Sequence, residues 1–527
     1  MGYSRHAGLF IAGLILTWVA CSPPQYDVII RNGNVFPGDG SASATSDVAI
    51  RDGKIAKIAL KVRGIAPLVI EASGLAVSPG FIDLHAHIEP LPLYPEAESF
   101  IRQGVTTVLG GPDGSSPLRL GKYLDSLSSM GVGVNTAYLI GHNTVRNHVM
   151  GLEDRPPSEA ELEEMKVLVA TAMEEGAFGI STGLKYLPGA YAETEEVIEV
   201  SKPAAKYGGI YTSHLRDEGL KLIDGVREAI EIAEKADIPV VLTHHKAIGQ
   251  PMWGSSKRTL AMVDSARESG LDVMVDQYPY TASYTAISVL IPPWAMEGGR
   301  YDKFAQRCAD PDLRKKIRDE ITYNIKYDRG GNDLRRIQIA KFDWKPELTG
   351  KTLYDWALAE GMEPTAENGA ELVIQAQIHR GANCIYHVMD EKDVERIMKY
   401  PHTMHASDGR LSILNQGHPH PRAFGTFPRV LGHYVREKGV LTLEDALRKM
   451  TGLPAKRMGL QDRGLLREGY FADITIFDPA KIIDKATFED PNQFPEGINY
   501  VLVNGKVSLE NGKFRNARNG MVLRKAH

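Results

Sequence analysis

Two stretches, Tyr26 to Val77 and Ala472 to Val507, consist of short β-branched runs with little helical periodicity. Asp27-Val28-Ile29-Ile30-Arg31-Asn32-Gly33 predicts a strand ending in an Asn-Gly turn. Val48-Ala49-Ile50-Arg51-Asp52-Gly53-Lys54-Ile55 predicts two strands joined through Asp-Gly. Ala472 to Phe477 reads as a strand, and Val501-Leu502-Val503-Asn504-Gly505-Lys506-Val507 as another hairpin. Units this short are marginal alone. The expectation is one small β-sandwich built from both chain ends, residues 26–77 and 461–527.

Between these ends the pattern switches repeatedly from strand to helix. Strands are predicted at 80–87, 104–109, 134–141, 177–183, 209–215, 239–246, 272–278 and 402–408. The clearest helix spans Ser158 to Glu175. Ser158 and Glu161 form a capping box, Leu162, Met165, Val169 and Met173 make an apolar stripe, and Gly176 ends it. This alternation predicts an α/β fold, a (β/α)8 TIM-type barrel over residues 78–460. The gap at 285–400 is too long for a simple crossover. It holds helical text at Pro311 to Ile321 and Leu353 to Glu360, and is expected to be an insertion over the barrel mouth.

Composition narrows the class. The chain has 527 residues, 43% hydrophobic and 24% charged, as expected of a folded protein with one large and one smaller domain. A net charge of -5 without a long basic run disfavours a nucleic-acid partner. Three cysteines make no disulfide framework. Arg5, the apolar run Leu9 to Ala20 and then Cys21-Ser22 form a signal-peptide pattern. Val19-Ala20-Cys21 resembles a bacterial lipoprotein cleavage site, although Trp18 replaces the usual Leu. The expectation is an exported protein, lipid-anchored through Cys21 on the periplasmic side of the cell envelope. Residues 1–25 are therefore set apart from the fold.

Barrel chemistry sits at the C-terminal ends of the strands, and ligand-type residues gather there. Gly80-Phe81-Ile82-Asp83-Leu84-His85-Ala86-His87 ends in two histidines that strand alternation sends to one face, with Asp83. The turn Gly110-Gly111-Pro112-Asp113-Gly114 offers a carboxylate suited to zinc. His214 is a third imidazole, and Arg216, on the same face, is either a substrate-carboxylate anchor or half of a salt bridge. His244 and Lys246 share a face and His245 takes the other, unless the register slips. Asp408, in Ser407-Asp408-Gly409, is placed as a proton carrier beside a metal-activated water, or as a helix N-cap.

Several motifs in order resemble the amidohydrolase superfamily, and within it the D-aminoacylases (N-acyl-D-amino-acid deacylases). They are Gly80 to His87, Gly104-Val105-Thr106-Thr107-Val108, Gly141-His142, Ser181-Thr182-Gly183-Leu184-Lys185-Tyr186, Ser213-His214-Leu215-Arg216-Asp217-Glu218-Gly219, His244-His245-Lys246, Asp276-Gln277-Tyr278-Pro279-Tyr280 and Ser407-Asp408-Gly409. The resemblance runs from Tyr26 to Phe514. It implies a metal-dependent barrel holding one or two Zn²⁺ ions. By motif, His85, His87, His214 and His244 match metal ligands, and Asp408 matches the catalytic acid/base. Lys246 matches a residue that binds the substrate carboxylate, and Tyr186 and Tyr278 match tyrosines lining the acyl-amide pocket. One position departs: the family carries a metal-ligating Cys where this chain has Asp113. Lys185 does not match the carboxylated lysine of other branches. The implied reaction is hydrolysis of N-acyl-D-amino acids. Two alternatives stay open: a dipeptidase acting on peptides that contain a D-residue, and a non-catalytic exported binding protein on the same barrel.

Overall fold

The computed structural model describes Gly2 and residues 24–526; the signal and lipid-anchor expectations at Leu9 to Ala20 and Cys21 lie outside the described residues. Eight parallel strands carry the centre of the chain: β1 (Phe81–Asp83), β2 (Val105–Gly110), β3 (Asn135–Tyr138), β4 (Gly179–Gly183), β5 (Ile210–His214), β6 (Val240–Leu242), β7 (Val273–Gln277) and β8 (Thr403–His405). Each overlaps a predicted run. β1, β2 and β3 form one parallel sheet. Ile140–Gly141, just past β3, starts a second that continues through β4, β5, β6, β7 and β8. A last parallel rung joins Ala86–His87, after β1, to Gly409–Arg410, after β8. β2 and β4 are buried at every residue. That is the pattern of parallel strands covered on both faces.

The helix at Glu159–Glu174 forms for the predicted reasons. Ser158 accepts from the Glu161 N–H, and Glu161 reaches back to the Ser158 N–H, so two orphan donors are satisfied together. Met165, Val169 and Met173 are buried.

Both chain ends meet in one nine-stranded sheet. Ala76–Pro79 pairs with Ile474–Phe477 and so splices the N-terminal strands to the C-terminal ones. Its core is aliphatic, with Ile30, Val48, Ile50, Val77, Ile474 and Leu502. The Asp52-Gly53 and Asn504-Gly505 hairpins form as predicted. Asn32-Gly33 differs. The strand Val28–Val35 runs straight through it, with a register shift between Ile30 and Gly33. Asn32 takes the left-handed conformation that Asn tolerates, and its N–H bonds Asp47 Oδ1 at 2.9 Å. The signal marks a β-bulge, not a turn. Near the C-terminus, Gly520 to Lys525 leave the sheet and bond backbone groups at Val132, Thr136 and Gly176, under the parallel strands.

The segment between β7 and β8 has its own core, including Phe304, Leu372 and Trp356. Pro311–Tyr323, Leu353–Ala359 and Ala366–Ile378 are helical. Three antiparallel strands, Ser283–Ala286, Asn383–Tyr386 and Ile337–Lys341, pair in that spatial order. Sequence patterning did not anticipate this small sheet.

Candidate metal centre

The strand order carries six distant residues to one end of the parallel strands. His85 and His87 follow β1, Asp113 follows β2, His214 closes β5, His244 lies just past β6, and Asp408 lies past β8. Asp113 stands in the middle. Its Oδ1 is 3.3 Å from His85 Nε2, 3.4 Å from His244 Nε2 and 3.6 Å from His214 Nδ1, and its Oδ2 is 3.5 Å from His87 Nε2. Asp408 Oδ1 is 3.2 Å from His87 Nε2 and 3.6 Å from His85 Nε2. Asp113, His244 and Asp408 each have positive φ (53°, 35° and 47°). Non-glycine residues seldom adopt that region without surrounding structure to impose it. The Asp113 turn is strapped by Ser181, whose hydroxyl donates to the Gly111 carbonyl at 2.6 Å and accepts the Gly114 N–H at 3.0 Å.

The donor set fits a metal ion. His85 Nε2, Asp113 Oδ1, His214 Nδ1 and His244 Nε2 are buried without hydrogen-bond partners. Buried polar atoms are normally paired, and orphans converging on one point call for an occupant. Two groups have ligand-capable atoms within 4.8 Å of one another: His85, His87, Asp113 and Asp408, and Asp113, His214 and His244. They share Asp113. Burial and Lys246 push the His244 pKa down, but Glu218, Asp408 and Asp113 outweigh them and raise it to about 9. Burial instead holds the His214 pKa below its ordinary value.

Supporting groups set these side chains. Asp83, pushed up to about 6 by burial, accepts the Ser407 and His85 N–H groups at 2.9 and 3.3 Å and the Ser407 hydroxyl. It ties the end of β1 to the loop carrying Asp408. Asp276 accepts the His244 N–H at 2.6 Å. Arg422 Nη1 lies 2.8 Å from Asp408 Oδ2. Burial alone would raise the Asp408 pKa, but Arg422, His244, His87 and His85 overcome it and hold the carboxyl well below its usual range. Glu218, 2% exposed, lies 3.0 Å from His244 Nδ1 and 3.6 Å from His214 Nε2, and bonds Lys246.

The remaining expected residues are placed as follows. The Tyr186 ring packs tilted against the His214 ring, centres 4.5 Å apart, and its hydroxyl accepts from Thr285 at 3.1 Å. Lys246 Nζ is held by Glu218 and the His244 carbonyl. Tyr278 is a buried platform: Lys246 and Arg422 lie 5.5 and 4.7 Å from its ring centre, and its hydroxyl points at the Met389 sulfur. Arg216 departs from the substrate-anchor reading and follows the salt-bridge one. Its guanidinium is committed to Glu228 at 2.7 Å and to the Ala190 and Ala192 carbonyls. Lys185 pairs with Asp217 at 3.3 Å, clear of the histidines' partners. His245 turns away to Thr259 at 2.7 Å. A cavity of about 1180 Å³ opens over the cluster, bordered by His87, Asp113, His214, Lys246, Asp408 and Arg422, with Arg300, Asn324 and Arg329 from the segment after β7.

Sequence reasoning missed Glu218, Asp276, Arg422 and Arg329. Glu218 and Asp276 lay inside quoted motifs, where acidic residues beside candidate ligands were the available signal. Arg422 opens the helix Arg422–Arg429, and Arg329 follows a π-helical turn, where no strand-end rule points.

Comparison with known proteins bears on this geometry. The amidohydrolase family profile matches residues 358–509. D-aminoacylase from Alcaligenes xylosoxydans xylosoxydans is 36% identical over 523 residues, spanning 94% of this chain and 97% of that protein. A D-aminoacylase structure with a binuclear metal centre superposes with TM-score 0.80 at 35% identity, covering 95% of this chain and all of that one. N-acyl-D-glutamate deacylase from Bordetella bronchiseptica, complexed with zinc and a phosphonate mimic of the tetrahedral intermediate, gives TM-score 0.81 at 32% identity over the same 95% of this chain and 100% of that one. The mixed α/β fold is that of these structures, and the chain belongs to the D-aminoacylase (N-acyl-D-amino-acid deacylase) family of amidohydrolases.

Proposed function

We propose that this chain is a metal-dependent hydrolase that cleaves the amide bond of N-acyl-D-amino acids. The observation that carries it is the set of orphaned imidazole nitrogens around Asp113, with Asp408 beside them. The architecture we propose is a (β/α)8 barrel over 78–460, closed through the rung between Ala86–His87 and Gly409–Arg410. The 285–400 insertion covers its mouth, and a β-sandwich of 26–77 and 461–527 flanks it. The apolar run before Cys21 supports an exported, lipid-anchored protein in the cell envelope, although Pro24 and Gln25, counted with that leader, bond Ile65 and Arg51.

His85, His87, Asp113, His214 and His244 would hold one or two zinc ions. Zinc held there would supply Lewis acidity to the amide carbonyl and to a water near neutral pH. Asp113 stands where the family carries a cysteine, and its carboxylate would serve as a ligand in that place. Asp408, kept ionised by Arg422, takes the proton of the attacking water and returns it to the leaving nitrogen. Tyr186, packed on His214 at the cavity wall, lines the acyl-amide pocket. Lys246, on the Tyr278 platform, borders the cavity where a substrate carboxylate enters.

The cavity volume also leaves room for a dipeptide with a D-residue, so the test covers both. Zinc-loaded protein is assayed against paired D- and L-N-acetyl amino acids and D-residue dipeptides. Turnover of the D-N-acetyl series alone is expected. Cleavage of dipeptides alone replaces the reading with a dipeptidase, and zinc uptake without any turnover replaces it with a binding protein.

A further inference from the structure

The loop after β5 brings Glu218 back beneath the histidines. His244 turns Nε2 to Asp113 and Nδ1 to Glu218, and His214 turns Nδ1 to Asp113 and Nε2 to Glu218. The two imidazoles present opposite nitrogens to the cluster, yet their far nitrogens face the same carboxylate. A neutral imidazole carries one proton. The nitrogen that takes a metal must be bare, so the far nitrogen must carry the proton and needs an acceptor. Glu218 is within accepting distance of His244 at 3.0 Å, and its other oxygen faces the His214 far nitrogen at 3.6 Å.

Lys246 competes for one of them. Its Nζ lies 2.7 Å from His244 Nδ1, and an ammonium can only donate. A lysine donating into Nδ1 would drive the ring proton to Nε2, the atom turned to Asp113. Glu218 opposes this because its charge also holds Lys246, which bonds both Glu218 and the His244 carbonyl. Arg329 Nη2, 3.6 Å from Glu218 Oε2, adds a second cation that keeps this carboxyl ionised.

We infer that Glu218 is a positioning residue of the metal centre. It fixes the protons of His214 and His244 on their far nitrogens and restrains Lys246 from reversing the His244 tautomer. This rests on the metal-centre reading, and zinc affinity separates the two. Zinc binding is measured by competition with a chromophoric chelator, without turnover. Glu218→Gln keeps the shape and removes the charge; it should weaken zinc about 10–100-fold, as lost carboxylate–histidine support does elsewhere. Adding Lys246→Met removes the competing donor and should restore most of that loss, which a generic packing defect would not allow. Lys246→Met alone should bind zinc at least as tightly as wild type, and it tests the same competition if Glu218→Gln fails to fold. Unchanged affinity in Glu218→Gln, no recovery in the double variant, or weakened zinc in Lys246→Met would each overturn the inference. Wild-type protein that takes up no zinc would instead overturn the metal centre itself.

Discussion

Two buried polar clusters sit toward opposite ends of the parallel strands, and they are built differently. At the entry to β3, Asp473 receives the Asn504 N–H at 2.8 Å, the Asn135 amide at 3.0 Å and the Arg463 guanidinium. Asn135 accepts from Asn504 Nδ2 and the Met521 N–H and donates to Thr107. Of that group only Asn504 Oδ1 lacks a partner. At the exit of the strands, His85, Asp113, His214 and His244 all keep orphaned atoms aimed at a common point. Both clusters are buried and rich in charge, so neither burial nor polarity tells them apart. Saturation does. A partnered cluster has nothing left to bind, and its work is to weld the nine-stranded sheet to the parallel strands. The orphaned cluster keeps polar atoms available to a ligand.

That contrast breaks first under chelation. Stripping metal should abolish turnover, with recovery on adding zinc, and should lower the melting temperature. A cation present at a thousand times its Kd stabilises by about 4 kcal/mol. Full activity after exhaustive chelation, with no metal detectable by elemental analysis, would remove the distinction. Asp408→Asn should come next. It cannot accept the proton, so kcat should fall about a thousandfold, far more than its loss of the buried Arg422 pair lowers stability, while zinc content holds. Normal turnover in that variant would take the proton-carrier role away from Asp408.

The saturated cluster should fail in the opposite way. Asp473→Ala strands Arg463, 3% exposed, without its anion. Breaking a buried pair from one side costs about 3–5 kcal/mol. Urea denaturation should show that loss, and kcat per folded molecule should stay within about twofold of wild type. A large fall in kcat with unchanged stability would mean that the weld also shapes the site.

The sequence made strand ends legible and side-chain partnerships much less so. His85, His87, His214, His244, Asp113 and Asp408 stood out because each follows a short apolar run, and parallel order brings such ends together. The face argument at His244 reached the right ring by an incomplete route. β6 stops at Leu242, and a backbone turn with φ of 35° aims the imidazole. Asn32-Gly33 misled because the same dipeptide serves turns and bulges, and the choice depends on Asp47, Glu71 and Val77, all distant in sequence. Glu218 and Arg422 were hidden for a related reason. What places them at the cluster is their distance to Lys246, His244 and Asp408, which no local pattern encodes.

Arg216 sharpens the comparison most finely, because it lies at the exit end but is partnered like the entry cluster. Glu228 takes its Nε at 2.9 Å and its Nη2 at 2.7 Å, and two carbonyls take further N–H groups. If saturation decides role, Arg216 is a strut between the loop after β5 and the helix Leu222–Ala236, despite bordering the cavity. Arg216→Lys keeps the charge but forfeits the forked geometry. It should cost about 1–2 kcal/mol of stability and leave KM for N-acetyl-D-amino acids within about threefold. A tenfold rise in KM at unchanged stability would show that substrate draws Arg216 away from Glu228. Position at the mouth would then outrank saturation as the sign of a working residue.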